Sequence, residues 1–130
     1  MPVLPTSSQR LEQILSAIDA HDSVAQHVYT RVYAERARAE ARAADQRAQL
    51  GLSLGPLDGR LVSIKDLLDV AGDVTTAGSR LRRDSPPATH DAHVVERLRQ
   101  AGAVIIGKTN MTEFAFSGVG LNPHYGTPGN

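Results

Sequence analysis

The chain has 130 residues, 41% of them apolar and 22% charged, which is typical of a globular protein with one modest core. Its 14 basic and 14 acidic residues give no formal net charge; this argues against nucleic acid or an anionic membrane as a partner, because both favour a cationic excess. The absence of cysteine excludes disulfides, thiol catalysis and thiolate metal sites, and a cytoplasmic location is the default expectation.

The first fifty residues predict a helical region. Apolar residues recur at helical spacing from Leu11 to Ile18, and Thr6 and Gln9 have the spacing of a capping box before them. A brief β-prone segment, 28–32, precedes a longer helix whose alanines, at 34, 37, 41, 44 and 48, mark one packing face. Arginines mixed with acidic residues on its other side indicate a solvated surface. Neither a secretory signal nor a membrane span is expected.

Residues 55–130 predict a strand–helix–strand core. After a turn-rich connection at 51–59, residues 61–64 form a short apolar strand that ends at Lys65, and residues 72–90 form a loop. Asp91 is expected to cap the next helix. Gly102 ends that helix, residues 103–106 form a buried strand, and the helix face is expected to contain Val94, Leu98 and Ala101.

A strand, a crossover helix and a second strand predict a parallel strand pair with helices covering the sheet. The fold class is therefore α/β, with the helical region 1–50 and the core 55–130 in a single domain. Residues 102–109 also satisfy the written P-loop pattern. A phosphate loop must follow a strand and begin a helix, whereas here the four intervening residues are themselves a strand, so nucleotide binding is not expected.

Only two of the 14 basic residues are lysines, Lys65 and Lys108. Arginine is always charged, whereas a lysine can lose its proton and act as a base. Lys65 lies at the carboxyl end of a predicted strand, where open parallel sheets bind their ligands. The structural alternative is that Lys65 reaches solvent and pairs with Asp66 or Asp69, and from these residues alone that alternative is favoured.

Four segments carry a more specific signal: GPLDG (55–59), LVSIKD (61–66), TTAGS (75–79) and AGAVIIGKTNMTEFA (101–115). Together they closely resemble the N-terminal part of the amidase signature family of serine hydrolases. The resemblance runs from about Leu11 to the last residue and is strong from Gly55 onward.

The resemblance implies an α/β/α fold with a mixed, partly parallel sheet covered by helices, and a Ser–cisSer–Lys triad. The family's lysine falls at Lys65, and its two serines lie in glycine-rich segments expected just beyond Asn130. Residues 1–130 are thus expected to be an incomplete N-terminal portion of one amidase domain. The implied partners are a small-molecule amide and the missing C-terminal part of the domain. No cofactor or metal is implied, and a homo-oligomer is left open.

In similar enzymes a neutral lysine accepts a proton through the bridging serine while the second serine attacks the amide carbonyl. The implied function is therefore hydrolysis of a carboxylic amide C–N bond, with Lys65 as the general base. Two alternatives stay open. One is a transamidase subunit of the same family, and the other is a noncatalytic folding or interaction module.

The remaining polar residues carry structural interpretations. The chain's other serines lack the glycine-rich context of the family's nucleophile, and the five dispersed histidines predict no metal site. Asp66 and Asp69 are expected to order the loop after Lys65. Residues 111–117 predict a short helix with Phe114 or Phe116 in the core. Because the resemblance places this segment beside the acyl pocket, Phe116 is the substrate-facing candidate and Phe114 its competitor.

Overall fold

The computed structural model describes residues 4–20 and 27–129. Three helices and three strands alternate along these residues in a mixed α/β arrangement, as the sequence predicts. In chain order they are α1 (Ser7–Asp19), β1 (Tyr29–Val32), α2 (Ala34–Gln49), β2 (Leu61–Lys65), α3 (His93–Gln100) and β3 (Val104–Thr109). None of the helices in this described part is long and apolar enough to cross a membrane.

The capping box predicted at the start of α1 is present. The Thr6 hydroxyl accepts a hydrogen bond from the Gln9 backbone N–H at 3.2 Å, and the Gln9 side chain accepts one from the Thr6 N–H at 2.9 Å. These two bonds satisfy backbone donors that the first turn of a helix leaves free. The backbone N–H groups of residues 7 and 8 have a different acceptor, since both donate to the Asp45 carboxylate on α2.

For α3, the structure confirms Leu98 on the packed face but not Val94. Val94 is 46% exposed, and the fully buried residue is Val95, which has Ala92 and Leu98 three residues away on the same packed face. Asp91 does not cap the helix. Its carboxylate instead accepts hydrogen bonds from the Ala71 N–H and the Arg99 guanidinium. These contacts tie α3 to the loop after β2.

The sheet has the strand order β1-β3-β2. β2 and β3 are parallel, as the strand–helix–strand pattern predicts, and β1 pairs antiparallel with the other edge of β3. The first apolar layer packs α1 and α2 against the sheet and contains Leu11, Leu15, Ala37, Ala41, Val104 and Ile106. The second, on the α3 side, contains Ile64, Val70, Val95 and Ile105. Burial on both sides of β3 explains its continuous apolar sequence.

β3 contains a register shift that changes which side chains share a face. Val62 is paired with Ile105, but the next residue of β2, Ser63, is paired with Gly107. One extra residue in a strand turns every later side chain to the opposite face. Lys108 therefore pairs with Ile64 and lies on the α3 side of the sheet, whereas Lys65 pairs with Thr109 and lies on the other side.

Gly107 allows β1 to approach the sheet at this shift. A Cβ atom at position 107 would overlap the Arg31 carbonyl oxygen and would lie 3.0 Å from the Val32 Cα atom. Both are backbone atoms that no rotamer change can move, so the close approach requires glycine.

We expect Gly107→Ala to lower the free energy of unfolding by about 1–3 kcal/mol or more, because the added methyl group must displace β1. Urea denaturation of the variant and the parent chain measures this difference. Gly118→Ala is the matched control, since nothing lies within 4 Å of a Cβ atom there. Equal destabilisation by the two substitutions would contradict the assigned pairing of β1 with β3.

Candidate active site

Lys65 is the last residue of β2, and its side chain is exposed. Its backbone is held firmly. The Lys65 carbonyl accepts hydrogen bonds from the N–H groups of Leu67 at 2.6 Å and Leu68 at 3.0 Å, and the Asp66 N–H donates to the Thr109 carbonyl at 3.0 Å. The strand therefore ends in a tight turn that fixes where the Lys65 side chain leaves the sheet.

The ammonium group of Lys65 forms no ion pair within residues 4–20 and 27–129, so the expected alternative, a pair with Asp66 or Asp69, is wrong. The Asp66 carboxylate lies 2.9 Å from the Lys108 ammonium instead. Asp69 accepts a hydrogen bond from the Thr75 hydroxyl at 2.6 Å. Both neighbouring acids thus have other partners, and Lys65 lies at the carboxyl end of a parallel strand without contact to either carboxylate.

Three polar side chains share the sheet surface with Lys65. Ser63 lies two residues earlier on the same face of β2, and its hydroxyl is 2.8 Å from that of Tyr29. Tyr29 and Lys65 both pair in register with Thr109. We refer to Tyr29, Ser63, Lys65 and Thr109 as the sheet-end surface. It presents one amine and three hydroxyl groups, which are suited to hydrogen bonding and proton transfer with a polar ligand.

The second lysine lies in a different environment. Lys108 is 1% exposed, and its ammonium group contacts the Asp66 carboxylate at 2.9 Å, the Thr75 hydroxyl at 2.9 Å and the Val74 carbonyl at 3.3 Å. These three acceptors match the three donors of an ammonium group. Lys108 is therefore a fully hydrogen-bonded buried cation that joins β3 to the loop after β2.

Asp66 orders that loop, as the sequence predicts. Besides Lys108, its carboxylate accepts hydrogen bonds from the Thr76 N–H at 3.2 Å, from the Thr76 hydroxyl, and from the Thr30 hydroxyl at 3.4 Å. The Asp66 carbonyl accepts the Ala77 N–H at 2.8 Å. Residues 66–77 therefore close into a compact loop whose first residue follows Lys65 directly.

A second charged group lies beside this loop. The Tyr33 hydroxyl donates to Asp73 at 2.6 Å, and the Arg31 guanidinium lies 3.1 Å from the same carboxylate. Burial and this hydrogen bond to an anion raise the pKa of Tyr33 well above its usual value. Tyr33 is therefore a hydrogen-bond donor at any physiological pH and is not a base.

The segment after β3 is fastened to the TTAGS loop by polar contacts. Asn122 is buried, and its side-chain amide donates to the carbonyls of Gly78 and Met111 at 2.8 and 2.7 Å. Ser79 is fully buried and donates to the Glu113 carboxylate at 2.6 Å. This hydrogen bond, together with His124 at 3.3 Å, holds the pKa of Glu113 below its usual value. These contacts agree with a structural role for Ser79.

The expectation that Phe114 or Phe116 fills the core was wrong, since they are 53% and 94% exposed. Residues 113–115 form one 3₁₀ turn, in which Phe114 and Ala115 have positive φ values of 50° and 57°. Met111, which is 5% exposed, is the buried apolar residue of this segment. Both phenylalanines are left on the surface, where they are available to a ligand or another part of the protein.

The P-loop pattern forms no phosphate loop. Residues 104–109 are strand β3, and their N–H groups are engaged; the Val104 N–H donates to the Arg60 carbonyl and the Ile105 N–H to the Glu40 carboxylate. No group of three or more potential metal ligands is found in residues 4–20 and 27–129. His21, one of the five histidines, lies outside the described residues.

The sequence interpretation missed the role of Lys108, which it treated as a strand residue without a chemical task. A signal was present, because a lone cation in the apolar run Val104–Thr109 must find a buried partner. Its partner, Asp66, lies 42 positions earlier along the numbering. Local sequence patterns therefore did not identify the pair.

We expect the two lysines to differ sharply in reactivity toward an amine acylating reagent. Lys65 should be acetylated by sulfo-N-hydroxysuccinimide acetate at least about tenfold faster than Lys108, whose reaction requires local opening of the fold. Peptide mass spectrometry separates the two sites. Guanidinium chloride provides the control, since unfolding should equalise the rates. Equal rates in the folded chain would contradict the placement of both lysines.

Comparison with known proteins identifies the family. The family model described as Amidase matches residues 10–130. The chain is 45% identical over 115 residues to AtzE, the 1-carboxybiuret hydrolase subunit of Pseudomonas sp. strain ADP, covering 88% of this chain and 25% of that protein. It is 47% identical over 120 residues to the glutamyl-tRNA(Gln) amidotransferase A subunit of Anaeromyxobacter sp. strain K, covering 92% and 24%.

Among solved structures, one described as a vestigial protein complex bearing on the origins of an s-triazine catabolic enzyme superposes with a TM-score of 0.86. Sequence identity is 42%, and the match covers 95% of this chain and 27% of the other. The chain thus spans about a quarter of the length of the relatives that it matches. The family match, the fold and the LVSIKD segment at the end of β2 agree, and the chain belongs to the amidase signature family.

Proposed function

We propose that the full-length protein containing this chain hydrolyses a carboxylic amide C–N bond, with Lys65 as the general base. The single observation that carries the proposal is the contrast between the two lysines. Lys108 is engaged in a buried ion pair. Lys65, in contrast, is exposed and unpaired in the described part of the chain, at the carboxyl end of a parallel strand.

The chemistry requires a residue of this kind. A serine hydroxyl is a weak nucleophile at neutral pH and needs a base within hydrogen-bond reach. In the proposed reaction the neutral Lys65 amine takes a proton, through a bridging serine, from the serine that attacks the amide carbonyl. The acyl-enzyme forms, the amine product leaves with a proton, and water releases the acid. No serine of this chain is assigned to either position.

Phe116 is proposed as a substrate contact. It is 94% exposed, and an aromatic ring on the surface offers apolar area to an acyl group. Phe114 is the competing candidate, at 53% exposure.

Transfer of ammonia to another acyl acceptor is the second candidate function, because the chain is 47% identical to an amidotransferase A subunit. The two reactions share the acyl-enzyme and differ in the fate of the ammonia. An assay with glutamine as the amide donor, with and without an acyl acceptor, separates them. Ammonia release that depends on the acceptor would favour the transferase.

Replacing Lys65 with arginine tests the proton-transfer role. Arginine keeps the charge and approximate length but does not release its proton. We therefore expect Lys65→Arg and Lys65→Met in the full-length protein to lower kcat/KM for an amide substrate to a similar degree, by about 100-fold or more.

Arg60→Met is the control for loss of an exposed cation near the same strand, and it should leave kcat/KM within about twofold, as surface substitutions usually do. Circular dichroism verifies that each variant is folded. Wild-type turnover by Lys65→Arg would remove the general-base assignment.

The 130-residue chain by itself should hydrolyse no amide or ester above background, because neither serine of the triad is assigned within it. Ammonia release and chromogenic ester cleavage by the purified chain measure this. Turnover that a fluorophosphonate abolishes would show that one of its own serines is a nucleophile. A folded, inactive chain that binds another protein would instead favour the noncatalytic module.

A further inference from the structure

We propose that Lys108 acts as a positioning residue for the amide-hydrolysis site: by neutralising Asp66, it keeps the adjacent Lys65 amine free of an ionic partner. The inference rests on the proposed function for its catalytic meaning. Its physical content, a charge effect of one lysine on the other through Asp66, is independent of that function.

Asp66 follows Lys65 directly, so its carboxylate is the acidic group nearest to Lys65 along the chain. It is 1% exposed and lies 2.9 Å from the Lys108 ammonium. The two side chains leave the strand end on opposite sides, Lys65 to solvent and Asp66 into the fold. This divergence depends on the Asp66 N–H donating to the Thr109 carbonyl.

A carboxylate without a countercharge attracts a neighbouring ammonium and favours its protonated form, which is unable to accept a proton. Two unit charges still interact appreciably at the separation of adjacent residues, even with partial screening by solvent. With Lys108 in place, the Asp66–Lys108 pair has no net charge, and Lys65 has no such neighbour.

Other charged groups also lie near Asp66. On the β1 side, Arg31 is paired with Asp73, which also accepts the Tyr33 hydroxyl. In the loop, Asp69 accepts the Thr75 hydroxyl. Arg31 is already matched by an acid of its own, so Lys108 is the only cation that contacts Asp66 among the described residues.

The pair also explains the location of the loop. Thr75 receives one hydrogen bond from the Lys108 ammonium and donates one to Asp69, while Thr76 donates to Asp66 through both its N–H and its hydroxyl. Removing Lys108 leaves the donors on Thr30 and Thr76 in place. These donors continue to hold the carboxylate in place beside the Lys65 backbone.

The test compares three variants of the full-length protein: Lys108→Met, Asp66→Asn and the double variant. Acetylation of Lys65 at pH 8, followed by peptide mass spectrometry, reports the fraction of neutral amine without any reference to catalysis. We expect Lys108→Met to slow acetylation of Lys65 about three- to tenfold and Asp66→Asn to accelerate it. The double variant should return the rate to within about twofold of the parent.

Where the variants are active, the acid limb of the pH profile of kcat/KM should move in parallel. It should shift to higher pH for Lys108→Met, by about half a unit to one unit, and return in the double variant. A purely structural role would lower stability and turnover but would not move the pH profile. It would also not change the Lys65 acetylation rate in opposite directions in the two single variants.

If Lys108→Met does not fold, Asp66→Asn against the double variant supplies the same comparison, because the double variant leaves no unpaired buried carboxylate. Equal Lys65 acetylation rates in all folded variants would overturn the inference. The Lys65→Met variant separates the charge effect from the proposed function. Full activity of that variant would refute Lys65 as the general base. The order of the Lys65 acetylation rates in the other variants would still test the charge effect.

Discussion

The site depends on one buried ion pair. Lys108 and Asp66 are each 1% exposed, and their charged atoms lie 2.9 Å apart. Removing one partner of such a pair typically costs about 3–5 kcal/mol, because the other charge is left buried and uncompensated. The pair joins the end of β2 to β3 and, through Thr75 and Thr76, holds the loop that follows. Lys65 leaves the sheet at the point that this pair fixes.

The ion pair in turn depends on the register shift in β3. Ser63 pairs with Gly107, so Ile106 is the extra residue, and Lys108 lies on the same face as Ile64. Without the shift, Lys108 would share the face of Ile106, which packs against the helices α1 and α2. The buried side chains of that layer are leucine, alanine, valine and isoleucine, which offer a cation no hydrogen-bond acceptor. A change in backbone register therefore decides the electrostatics of the site.

The sequence predicted the elements whose signal is local. The predictions failed where contacts between distant parts of the chain determine the position of a side chain. The capping box at Thr6 and the parallel pairing of β2 with β3 depend on nearby residues or on element order. So does the alanine face of α2, which is buried at Ala37, Ala41 and Ala44 although the predicted Ala48 is exposed. Asp91 could have capped α3, but its carboxylate accepts a hydrogen bond from Arg99 instead. Phe114 is apolar, but it lies on the surface, in a 3₁₀ turn where its φ value is positive. No partner was predicted for Lys108, because Asp66 is remote in sequence and propensity carries no information about such contacts.

The scarcity of lysine acquires a physical meaning when the two environments are compared. At position 108 a compact ammonium meets three acceptors, from Asp66, Thr75 and Val74. A guanidinium would bring five donors and a larger planar group into the same space, leaving donors unpaired. At position 65 there is room for arginine, because the side chain is exposed, so packing alone does not favour lysine there. Lysine can release its proton and arginine does not. Packing therefore accounts for lysine at position 108, and the proton-transfer role proposed above would account for lysine at position 65.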